Sequence, residues 1–151
     1  MDHLQGMHLA LQQAGLAEEA GEIPVGAVVV RGEEVLSAAF NRTHTDGDYT
    51  AHAELLAIRQ AAKRTGGRLQ GCTLYCTLEP CAMCAGAAIN TRLTTLVYGA
   101  FDEVSGCCGS VLDLPDHCFL HSIETWGGIL EEECKAPLTA FFAAKRIKQS
   151  E

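Results

Sequence analysis

The segment CTLYCTLEPCAMCAGAAINT, residues 72–91, changes character halfway along. Its first seven residues, CTLYCTL, are apolar, aromatic or β-branched, which suits a buried strand. Glu79-Pro80 interrupts them. The remainder, CAMCAGAAINT, is alanine-rich and predicts a helix, with Pro80 suited to its first turn. A strand that runs directly into a helix is the repeating unit of a layered α/β fold.

Reading outward strengthens that class. Upstream, residues 4–19 space Leu4, Met7, Leu11, Ala14 and Leu16 like one helix face, and Gly21 and Pro24 end it. VGAVVV, residues 25–30, is apolar on both faces, as an interior strand should be. Arg31-Gly32-Glu33 turns it into a second strand, EVLSAAF. Residues 41–49 read as loop, and Thr50 is placed to cap a helix that ends near Arg64. Downstream come a strand TLVYGA, a glycine-rich loop FDEVSGCCGS, a fifth strand at HSIET and a closing helix over residues 129–149, which Pro137 can kink. Neither a repeat nor a linker interrupts the alternation, so one domain over residues 1–151 is expected.

The chain has 151 residues, 48% hydrophobic and 20% charged, enough for a real core. No apolar run approaches the roughly 18 residues of a membrane span. The start, MDHLQGMHLALQQ, lacks the basic opening of a secretory signal, so a cytoplasmic location is expected. Eight cysteines in that setting point to metal ligation or burial rather than disulfides. A net charge of −8 opposes binding to a polyanion. The cations, however, cluster at Arg59, Lys63, Arg64 and Arg68 and again at Lys145, Arg146 and Lys148, and an anionic partner has to use those patches.

The chemistry centres on Cys81 and Cys84. Residues three apart share a helix face, so both can grip one ion, and the first turn of a helix favours thiolates. A CxxC pair alone also fits a redox couple or half of a closed structural zinc site. A closed site needs two more ligands, and neither the adjacent Cys107-Cys108 nor the strand residues Cys72 and Cys76 are well spaced for that. His52, at the head of the preceding helix, is the better third ligand. Three protein ligands leave a fourth tetrahedral position open for water, which is the catalytic pattern. Glu54, two residues on, then accepts and passes on a proton without being a ligand.

His52-Ala53-Glu54 followed by Pro80-Cys81-Ala82-Met83-Cys84 resembles the zinc-dependent nucleobase deaminases. EIPVGAVVV, Asn41, TLYCTLEPCAMCAGA, LVYGAFDEVSGCCGS and GILEEECKAPLTAFF extend the resemblance to the tRNA adenosine deaminase branch over nearly the whole chain. The resemblance implies a three-layer α/β/α sandwich with a central five-stranded mixed sheet, and one zinc ion per chain held by His52, Cys81 and Cys84. It implies Glu54 as the catalytic proton carrier, a homodimer, and an anticodon-loop substrate whose wobble adenosine becomes inosine with release of ammonia. By position it implies that Asn41 hydrogen-bonds the base, Val25 walls its pocket and Asp102 lies near the ribose and backbone. Two departures bear on substrate choice. Tyr49 stands where that branch usually has proline, and Leu120-His121-Ser122 stands where it usually has Asn-His-Arg, so an RNA-facing arginine is missing. A deaminase of a free base or nucleoside, such as guanine or cytosine, is the competing expectation, and a zinc-stabilised binding module without turnover is a third.

Overall fold

The computed structural model describes residues 1–117 and 121–150, with side chains as far as Arg146. Cys118, Leu120 and the Lys148 side chain lie outside the described residues. Along the chain run α1 (His3–Glu19), β1 (Gly26–Arg31), β2 (Glu34–Phe40), α2 (Ala53–Thr65), β3 (Thr73–Leu78), α3 (Ala82–Asn90), β4 (Thr95–Ala100), β5 (Glu124–Trp126) and α4 (Glu131–Ser150). The strands form one sheet in the order β2-β1-β3-β4-β5. β1 is antiparallel to both β2 and β3, whereas β4 runs parallel to β3 and β5.

Strand alternation fixes the layers. The cross-strand register puts Gly26, Tyr75, Thr77 and Gly99 on one face. There α1 lies so close that a Cβ at Gly26 would overlap the Ala10 carbonyl and the Ala14 amide, and α4 meets Gly99 through Cys134. Ser37, on the opposite face, donates to the Ala57 carbonyl of α2 at 2.7 Å, and α3 packs beside α2. The result is the expected three-layer sandwich around a mixed sheet. Its core includes Met7, Leu74, Tyr75, Leu96 and Val97, each at most 1% exposed. Because the obstruction at Gly26 is helix backbone rather than a side chain that could swing away, Gly26→Ala should destabilise the fold by about 3 kcal/mol. Urea unfolding measures it; a loss below about 0.5 kcal/mol would show that α1 can retreat at little cost.

Several local expectations change. Thr50 does not cap α2, because its hydroxyl and amide both bond the Asp48 carboxylate, at 2.7 and 2.8 Å. The cap is His52, extended at φ −75° and ψ 146°, which leaves its side chain off the helix end. At the far end Gly66 turns left-handed and closes α2 onto the Ala62 carbonyl. Cys81 caps α3, so Pro80 sits just before the helix, not in its first turn. Arg31 belongs to β1, paired with Glu34, so the hairpin turn is only Gly32-Glu33. β5 begins at Glu124 rather than His121, whose ring Nε2 donates to the Leu93 carbonyl at 2.6 Å. Pro137 lies within α4, which continues through it. Cys72, Cys76 and Cys134 are buried, and His3 is half-buried with Nδ1 3.1 Å from the Tyr75 hydroxyl. Among the described residues no helix is long and apolar enough to cross a membrane.

Candidate active site

α2 and α3 do not follow neighbouring strands, because β1 lies between β2 and β3. They meet because β2, β3 and β4 all run the same way, opposite to β1. One sheet edge therefore collects the ends of β2, β3 and β4 and the start of β1, the edge where α/β sheets usually place ligands. His52 follows β2, Cys81 and Cys84 follow β3, Asp102 follows β4 and Val25 precedes β1.

At that edge His52 Nδ1 stands 3.5 Å from Cys81 Sγ and 3.6 Å from Cys84 Sγ. A tetrahedral zinc with ordinary bond lengths separates its nitrogen and sulfur ligands by about 3.5 Å. The three donor atoms thus already have the spacing that one ion needs, and they form a His/Cys/Cys group all within 4.8 Å of one another. The charges fit too. The thiols share a proton: the bond from Cys84 holds Cys81 down to about 4, while the same pairing, with burial, pushes Cys84 far up. A divalent cation is what allows two such thiolates to coexist. The His52 pKa is raised, chiefly by its bond to Cys81, and the Tyr49 backbone pushes it the same way.

Glu54 lies in the first turn of α2 and is 4% exposed. Its Oε1 is buried without a hydrogen-bond partner. Burial pushes its pKa up to about 7, with the nearby His52 opposing. A buried carboxyl with an idle oxygen, beside three metal-competent ligands, suits proton transfer to something that enters the site.

What can enter is set by a cavity of about 770 Å³ that His52, Glu54 and Cys81 help to line. Val25 and Asn41 also line it. The Asn41 amide donates to the Val25 carbonyl at 3.1 Å, so the two are held together, and the Asn41 side-chain amide donates to Thr43 Oγ1 at 3.3 Å. Asp102 lines the cavity as well, but its carboxylate is engaged by the amides of Val104 and Ser105, each at 3.0 Å, and by the Ser105 hydroxyl. Among the lining residues not foreseen from the sequence are Glu79, Phe101 and Phe142. Glu79 did carry a signal, a charge at the end of an otherwise apolar strand. Cys107 and Cys108 are buried free thiols, and among the described residues no disulfide forms.

This arrangement has relatives. The family model described as the cytidine and deoxycytidylate deaminase zinc-binding region matches residues 1–100. The chain belongs to that family. The resemblance drawn from the histidine–glutamate and cysteine motifs is borne out. The chain is 46% identical over 145 residues to the tRNA-specific adenosine deaminase of Bacillus subtilis, covering 95% of this chain and 90% of the relative. A solved structure from studies of A-to-I editing by tRNA:A34 deaminases superposes with a TM-score of 0.84 at 40% identity, over 89% of this chain and 99% of that one. The guanine deaminase of Nitrosomonas europaea shares the architecture at 25% identity and a TM-score of 0.77, over 93% of this chain and 84% of the other.

Proposed function

We propose that this chain is a zinc-dependent hydrolase that deaminates the wobble adenosine of tRNA to inosine and releases ammonia. The unpartnered Oε1 of Glu54, buried beside the His52/Cys81/Cys84 group, is the observation that carries the chemistry. The identities and coverage of the relatives carry the substrate class.

His52, Cys81 and Cys84 hold one zinc ion, and Glu54 does not compete for it. Bound there, the ion supplies Lewis-acid chemistry that makes water a nucleophile near neutral pH. Glu54 moves the protons. It takes one from the attacking water, gives it to the purine ring nitrogen beside the reacting carbon, and assists the amine as it leaves. Water adds and ammonia departs, so no other reactant is needed. Asn41 and Val25 orient the flipped base, Asn41 through its amide and Val25 through the apolar wall. Asp102 shapes the mouth by fixing its own turn. If Asn41 contacts the base, Asn41→Ala should lower kcat/KM about tenfold to a hundredfold while zinc content stays unchanged. An unaltered kcat/KM would remove that role.

The reading includes a cytoplasmic homodimer that binds the anticodon loop. Met83, Gly86 and Ala87 give α3 a half-exposed apolar stripe that supports the dimer. The net charge of −8 favours the competing reading, a deaminase of a free base such as guanine. Zinc-loaded protein given an anticodon stem-loop, adenine, guanine and cytosine separates the two. Inosine in the stem-loop supports the proposal, and ammonia from a free base alone overturns it.

A further inference from the structure

Glu79 directly follows β3, two residues before Cys81, and is 2% exposed. Four donors converge on its carboxylate. Oε1 accepts from the Asp102 amide at 3.1 Å and from the Ser110 hydroxyl; Oε2 accepts from the amides of Cys108 at 3.1 Å and Ser110 at 3.0 Å. Among the described residues no lysine or arginine pairs with it. Gly106 lies flat against it, and a Cβ there would overlap the carboxylate carbon. Two backbone bonds stitch the same seam, from Glu79 to the Ala100 carbonyl and from Cys107 to the Pro80 carbonyl, both at 2.9 Å. The segment so held, residues 101–110, supplies Phe101, Asp102, Val104, Ser105 and Ser110 to the cavity wall.

We propose that Glu79 is a positioning residue: its buried carboxylate locks the 102–110 wall of the cavity to the turn that carries Cys81. The wall and the cysteine turn then move as one body, and a substrate held by the wall is presented at a fixed distance from Glu54. A charged acceptor is required, because donors approach both oxygens. In Glu79→Gln the amide turns its hydrogens toward a backbone N–H whichever way it is set, although its volume is unchanged.

The presentation of substrate rests on the deaminase reading; the lock does not. Hydrogen exchange on zinc-loaded Glu79→Gln, without substrate, should show the Asp102, Cys108 and Ser110 amides exchanging about tenfold to a hundredfold faster, with β1 and β3 unaltered. Zinc should stay at one ion per chain. With the stem-loop, KM should rise about tenfold while kcat changes less than about threefold. Ser110→Ala, which removes only the hydroxyl donor, should show a smaller shift at the same amides and stands in if Glu79→Gln does not fold. Unchanged exchange at those amides, or zinc lost in step with activity, overturns the proposal. If the unaltered protein is inactive on the stem-loop, the tRNA reading falls, and the exchange result still decides the lock.

Discussion

Glu54→Gln is expected to keep its zinc and to lose turnover by about a thousandfold or more, at the upper end of what a single proton-transferring group contributes. The substitution preserves shape. It removes the only buried carboxyl oxygen that has no partner among the described residues, and with it the group placed to carry a proton. Metal analysis alongside inosine formation separates this from loss of the site. The folded protein should not suffer. Burial already pushes the carboxyl up to about 7, so a neutral amide relieves a desolvation cost. The variant should therefore melt no lower than the unaltered chain. Full turnover in Glu54→Gln would mean that another group carries the proton, and a zinc-free variant would mean that Glu54 serves the metal.

Cys84→Ala should have the other large effect. Cys84 is fully buried, and its sulfur is one of three donors with zinc-like spacing. Two ligands do not hold zinc against competing chelators, so both bound metal and activity should fall below detection. Stripping the unaltered protein with a chelator should do the same, and added zinc should restore it. Melting temperature gives a readout apart from turnover. Zinc at about a thousand times its dissociation constant stabilises a folded chain by about 4 kcal/mol. Stripped protein should lose that increment, and Cys84→Ala should melt alike with and without zinc. A variant that still binds one ion and still melts higher with zinc would place the metal elsewhere.

Much of this was legible in the sequence because the decisive elements are local. CTLYCTLEPCAMC shows its own strand, break and helix, and the spacing of Cys81 and Cys84 is a helical property. His52 and Glu54 became meaningful only together with that pair, through a family pattern that specifies both halves. What could not be read is what depends on strand order. Nothing in the chain announces that β1 lies between β2 and β3, the order that separates the strands leading into α2 and α3. Capping went wrong at Thr50 because a competing acceptor, Asp48, lies two residues away and takes both its donors. Glu79 was passed over because its four donors come from residues 102–110, more than twenty positions downstream, and only the parallel β3–β4 pairing brings them together.

Tyr49 shows how cleanly a position can divide its duties. Its backbone helps to raise the pKa of His52, whereas the residue stands 91% exposed. The main chain there acts on a candidate metal ligand, and the side chain belongs to whatever approaches the rim. Such a position is free to vary in a lineage without disturbing the reaction, since any residue offers the same carbonyl. Selection for a different target can therefore work on residue 49 while His52, Cys81, Cys84 and Glu54 stay as they are.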